Sequence, residues 1–184
     1  MSSTRSGEFT VADGRRWYHI IMSTYGSWLY GDARGFRTRQ HREHVEGDYK
    51  NPPPPGEYAA QERCSRDSLK QPPVELPQSL RSVMGLALKE RFEGLGAVMV
   101  CVAVSGQHIH LLVKTPVGQA RAWTGIAKRQ AWFVLRGHGW VGKLWGKRSK
   151  EISLTDRAHQ LKVYRYILAH GSQGAWIWKW NDPS

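Results

Sequence analysis

Two histidines separated by a single residue, His108 and His110, stand at the head of the run Ile109-His110-Leu111-Leu112-Val113-Lys114. An apolar stretch, Val98 to Val104, precedes them, and Ser105-Gly106 reads as the two-residue turn of a β-hairpin. Alternate side chains of a strand share a face, which puts both imidazoles on one side, roughly 6–7 Å apart along the strand. Gln107, Ile109, Leu111 and Val113 then face the other way, toward a core. Two imidazoles at that spacing can grip one divalent metal ion. Solvated or hydrogen-bonded histidines would show the same pattern, so the motif takes its weight from what accompanies it.

The second reactive group is a phenol. Asp156 to His170 is amphipathic, with Ala158, Leu161, Tyr164, Ile167 and Leu168 forming an apolar stripe at about 100° per residue. Tyr166 falls nearly opposite Tyr164, on the face of His159, Lys162 and His170. Tyr164 is therefore expected in the core and Tyr166 on the polar face. Tyr166 and His170, at i and i+4, are stacked by one helical turn. Phenols in general ionise only near pH ~10 and attack a phosphodiester only when it is polarised. A metal ion held by His108, His110 and His170 beside the ring would do so, neutralising charge on the phosphate and its leaving oxygen. Taken alone, Tyr166 reads as a surface aromatic and His170 as a cation at a helix C-terminus. Together with the paired histidines they make one coherent site.

Charge points to the substrate class. The 184-residue chain carries a formal net charge of +12. From Gly94 to Lys150 it contains no Asp or Glu, while Lys114, Arg121, Lys128, Arg129, Arg136, Lys143, Lys147, Arg148 and Lys150 all lie within that span. A solvated helix face ordinarily mixes both signs, so this exclusion favours a polyanion, and nucleic acid first among them. Trp123, Trp132, Trp140 and Trp145 are interleaved with these charges, as suits stacking on unpaired bases, although Trp123 keeps core spacing with Ala120, Ile126 and Ala127. Lys114, Lys128, Lys147 and Arg148 are the candidate phosphate contacts.

The elements that must position these groups are legible in outline. Arg16 to Thr24 reads as a first strand. Tyr30 to Pro77 is polar and Pro-rich, an excursion with a short helix around Tyr58–Cys64. Ser79 is placed to cap a helix carrying Leu80, Val83, Met84, Ala87 and Leu88 inward and ending near Gly94-Leu95-Gly96. After the hairpin come a helix over Val117–Arg136, a basic strand over Lys143–Leu154, and the tyrosine helix starting at Thr155 or Asp156. The order predicts an α+β, ferredoxin-like domain: a four-stranded antiparallel sheet with helices on one face, plus a C-terminal helix carrying Tyr166. One domain spanning 1–184, with an insertion at about 30–77, is expected. No segment approaches the roughly 20 apolar residues that cross a bilayer, and the first residues lack a signal peptide's apolar core, so no membrane partner is expected and a cytoplasmic or nucleoid location is. Cys64 and Cys101 have no metal or redox spacing.

These motifs, His108-Ile109-His110 at the start of an apolar strand, the preceding strand and turn, Trp145-Gly146-Lys147, and Tyr166-Ile167 in a terminal helix, resemble the single-tyrosine HUH endonucleases. The nearest branches are the REP-associated tyrosine transposases and the single-strand insertion-sequence transposases. The resemblance covers about Arg16–Thr24 and Leu80–Gly171. It implies a metal-dependent endonuclease and strand transferase acting on single-stranded or hairpin DNA, in which Tyr166 attacks a backbone phosphate and holds the 5′ side covalently. It implies a third metal ligand one turn after the tyrosine, commonly Gln or Asn, where this chain has His170. An all-histidine set suits Mn or Zn better than Mg. The Asn-Pro that often follows the tyrosine in the REP-associated branch is absent, and the 30–77 excursion is long for the family. A non-catalytic, domesticated nucleic-acid-binding protein would use the same sheet, charges and aromatics. A metallohydrolase using a bound water would keep the histidines and dispense with Tyr166. The residues leave open a homodimer in which Tyr166 serves a partner's histidines.

Overall fold

The structure, a computed structural model, describes residues 13–36, 44–47 and 50–181. The first twelve residues, the last three, and parts of the Pro-rich stretch, 37–43 and 48–49, lie outside them. In chain order the elements are β1 (Arg15–Thr24), α1 (Ala59–Asp67), α2 (Gln78–Gly94), β2 (Val98–Val104), β3 (His108–Pro116), α3 (Ala120–Gly137), β4 (Trp145–Ser153), α4 (Arg157–Ala169), a 3-10 turn (His170–Gln173) and β5 (Trp176–Lys179). The strands form one antiparallel sheet in the order β4-β1-β3-β2-β5.

The period-two pattern of β1 and β3 divides the sheet into two faces. Ile20, Met22, Ile109, Leu111 and Val113 point to one side and are buried under α2 and α3. There α2 supplies Met84, Ala87, Leu88 and Phe92, and α3 supplies Ala120, Ala127, Ala131 and Leu135. Each set lies along one stripe of its helix. Cys101, Ala103 and Leu112 point to the other side, where Val163 and Ile167 of α4 cover them. Burial pushes the Cys101 thiol up to about 12, so it is packing material without thiolate chemistry. No helix among the described residues is long and apolar enough to cross a membrane.

Several local expectations are shifted. The hairpin is closed by the Ser105 amide donating to the His108 carbonyl at 2.9 Å, so Gly106-Gln107, one residue further on, make the turn. Helix α2 begins after Pro77 with no side-chain cap, leaving Ser79 inside the first turn. At α4, Asp156 is the cap, its carboxylate accepting from the His159 amide at 2.7 Å. The buried stripe of α4 is Gln160, Val163 and Ile167, while Leu161 is 38% exposed and Tyr164 and Leu168 are half-buried. Gln160 can enter this contact because Arg157 donates to its side-chain carbonyl at 2.7 Å, removing an unpaired buried dipole. The face of the sheet that carries the histidines is thus partly roofed by α4.

The fifth strand has no counterpart in the sequence reading, since four residues are too short to show a period. Its Trp176 docks against Gly85 of α2, where an added Cβ would lie 2.1 Å from the indole. Only glycine permits that approach.

Candidate active site and basic surface

Strand register assembles the site. Ile21 of β1 pairs with His110 and Ser23 with His108, while His19 pairs with Leu112. Facing partners in an antiparallel pair share a side, so His19, His108 and His110 all project from the α4 face. Helix α4 brings Tyr166 over His19 and His110. Its ring meets His110 edge-on at 5.5 Å between centroids, His19 at 5.9 Å and His170 at 4.8 Å. His170, first residue of the 3-10 turn, stands perpendicular to His110 with centroids 4.5 Å apart. Tyr166 is 50% exposed, so the cluster opens to solvent on the phenol side.

The electrostatics favour neutral rings. Burial, with smaller contributions from His170, His19 and His108, brings His110 down to about 3. Burial, followed by His170 and His159, brings His19 down to about 4. His108 is lowered by burial and by the Arg34 and His170 charges, with Asp32 opposing, and His170 is lowered by burial. Neutral imidazoles offer lone pairs without a competing proton. His108 Nε2 is moreover buried with no hydrogen-bond partner. A polar atom kept dry and unpaired costs about 1–3 kcal/mol, which a ligand from outside the chain would relieve. The donor chemistry of His108 and His110 therefore fits a divalent ion of nitrogen preference. Among the described residues no group of three or more His, Cys, Asp or Glu side chains is already arranged as a metal cage. His170 stands beside the pair without completing one.

Two sets of residues here escaped the sequence reading. His19 is 6% exposed and its Nε2 lies 3.0 Å from His110 Nδ1. The segment after β1 places Trp28 edge-on to His108, centroids 5.9 Å apart. Arg34 lies over that indole at 4.8 Å, donates to the Ser27 carbonyl at 2.7 Å and pairs with Asp32 at 2.9 Å. The parity of β1 was available as a signal for His19; nothing in the sequence marks Trp28 or Arg34.

The four candidate phosphate contacts do not stay together. Lys128, Lys147 and Arg148 line one cleft of about 370 Å³ between α3 and β4. Lys114 lies toward the far end of β3 from His108, its amine 2.9 Å from the Asp13 carboxylate. Lys128 is partly committed as well, since its amine donates to the Gly146 carbonyl at 2.9 Å and burial lowers its pKa.

No protein-family model matches the chain, and no curated protein does. Solved structures do. A REP-associated tyrosine transposase, solved bound to a REP hairpin, aligns with a TM-score of 0.50 at 12% identity, over 95% of this chain and 75% of that one. A structure assigned as a transposase of Deinococcus radiodurans aligns at a TM-score of 0.40 and 14% identity, over 92% of this chain and 97% of that one. The α+β fold is thus similar to that of the REP-associated tyrosine transposase. At this identity the likeness is one of fold.

Proposed function

We propose that this protein nicks and rejoins single-stranded or hairpin DNA as a single-tyrosine transposase-type enzyme, with Tyr166 as nucleophile. The observation that carries the reading is the packing of the Tyr166 ring against His110 and His170, over a strand that presents His108 and His110 together. The neighbour's fold and its bound REP hairpin support the substrate class.

In this reading the Tyr166 oxygen forms a bond to a backbone phosphorus as the bond from phosphorus to the 3′ oxygen breaks. The 5′ side stays on the tyrosine, and the departing oxygen takes a proton to become a free 3′ hydroxyl. The phosphotyrosine conserves the energy of the phosphodiester, so another 3′ hydroxyl can reverse the step and join new ends. His108 and His110 would hold a divalent ion, Mn or Mg, with Zn a further candidate, and His170, which does not complete a cage as it stands, would join as third ligand by turning its ring toward the pair. When bound, the ion would offset charge on the phosphate and the leaving oxygen. His19 orients His110 by fixing which ring nitrogen carries hydrogen. A second reading of His170 is favoured by its half-buried, neutral ring 4.8 Å from Tyr166: it accepts the phenol proton.

The test is direct. Incubated with Mn or Mg and end-labelled single-stranded DNA, the protein should yield a covalent adduct that survives denaturant. An adduct formed equally by Tyr166→Phe would refute the assignment.

A further inference from the structure

We propose that the groove between α3 and β4 is a separate binding site for unpaired DNA, on the sheet face opposite Tyr166. The placement follows from the register. Ser149 of β4 pairs with Met22, whose side chain lies in the core beneath α2 and α3, whereas Lys150 pairs with Ile21 and so shares the side of His110. The groove therefore belongs to the α3 side of the edge strand, and the histidines belong to the other.

Its lining has the two properties that single-strand binding requires, a cationic track and fixed aromatic surfaces. Arg121 and Arg129 of α3 face Lys147 and Arg148 of β4, and all four are exposed. Trp132 and Trp145 stand among them with their indole N–H groups already used: Trp132 donates to the Gly142 carbonyl at 3.1 Å and Trp145 to the Lys128 carbonyl at 2.8 Å. Rings pinned at the edge lose little further freedom when a base stacks on them. Among the described residues the acid that acts on this region, Glu151, interacts with Lys128 and accepts from Ser149, and no ion pair there engages the outer arginines.

Gly125 supplies an independent observation. It lies in the middle of α3, where glycine weakens a helix, yet an added Cβ would meet nothing within 4 Å. Packing against the protein therefore does not explain it. It lines the groove, and the space it leaves is open to a ligand that must approach the helix backbone closely. Lys150 on the opposite side of β4 continues the positive charge around the sheet edge toward the histidines. A strand gripped in the groove would pass that edge to reach Tyr166.

This inference rests on the proposed function only for the choice of DNA as the polyanion, and its test uses neither the tyrosine nor a metal. In a Tyr166→Phe background with chelator, binding of fluorescein-labelled dT15 is followed by anisotropy across a salt series. Arg121→Ala/Arg129→Ala/Arg148→Ala should weaken binding at least tenfold and lower the salt slope by about 2, from roughly 0.7 per lost phosphate contact. Gly125→Leu should raise the melting temperature, because leucine is the better helix former, while weakening dT15 binding at least threefold. A merely structural glycine would not separate those readouts. Unchanged dT15 affinity in both variants overturns the site. Losses of equal size on a 15-base-pair duplex overturn its assignment to unpaired DNA. Failure of the covalent-adduct experiment, with the groove variants behaving as expected, would remove the nuclease and leave the binding site.

Discussion

His19 Nε2 and His110 Nδ1 lie 3.0 Å apart, both rings almost wholly buried. One of the two nitrogens must carry the hydrogen and the other must accept it. If His110 donates, its Nε2 is left with a lone pair directed away from His19, the arrangement a metal-ligating imidazole needs. A neutral carbonyl or carboxylate is the usual partner for that N–H; here a second imidazole serves.

His19→Ala should therefore lower Mn affinity by about 10- to 100-fold while leaving His108 and His110 in place. His108→Ala and His110→Ala should each abolish measurable binding, since the remaining ligands hold a divalent ion poorly. Titration calorimetry would show one site per chain in the parent. Undiminished affinity in the His108/His110 double variant would detach the metal from the strand histidines.

The same pair makes folding stability depend on pH. Unfolded histidines protonate near pH ~6.5, whereas folded His110 holds out to about 3 and His19 to about 4. Below 6.5 the unfolded chain binds more protons than the folded one, so stability falls as pH drops toward 4. Each group contributes at most about 1.4 kcal/mol per pH unit across that window. Urea midpoints at pH 7, 5.5 and 4.5 should fall in that order, and less steeply in His19→Gln. A midpoint independent of pH would mean that these rings are not held neutral by the fold.

Tyr164 and Tyr166 differ in environment and should differ in consequence. Tyr164 is half-buried against the core cluster that α4 forms with the sheet, whereas Tyr166 lies over the imidazoles. Tyr166→Phe removes only the hydroxyl and should abolish the adduct without altering the melting temperature by more than a few degrees. Tyr164→Phe should cleave at close to the parent rate. The reverse outcome on denaturing gels would exchange their roles.

What the sequence disclosed and what it withheld have the same origin. His108 with His110, and Tyr166 with His170, each lie within one element, where periods of 2 and 3.6 residues fix which side chains share a face. His19 meets His110 only through the β1–β3 register, which no local period encodes. Apolarity alone puts the α4 stripe on Ala158, Leu161 and Tyr164, because it cannot anticipate a buried Gln160 satisfied by Arg157. Lys114 belongs to the same acid-free span as Lys128 and Lys147, but its strand carries it away to Asp13. Charge patterning names a class of partner; only the fold says which charges act together.

His170 separates the finer possibilities. A cation stabilised by the end of α4 is disfavoured, because burial lowers its pKa and keeps the ring neutral. As third ligand it should be replaceable: His170→Gln offers an oxygen at similar reach, should retain cleavage and should shift preference toward Mg. His170→Ala should then cost Mn affinity about as much as losing one strand histidine. As proton acceptor for Tyr166 it should instead be irreplaceable by glutamine at neutral pH. In that case both variants keep Mn affinity, lose rate near pH 7, and regain part of it as pH rises and the phenol ionises unaided. Calorimetry with Mn beside a pH–rate profile distinguishes the two outcomes. Should His170→Ala match the parent in both measurements, the ring is packing for His110, from which it stands 4.5 Å, and the chemistry rests on His108, His110 and Tyr166.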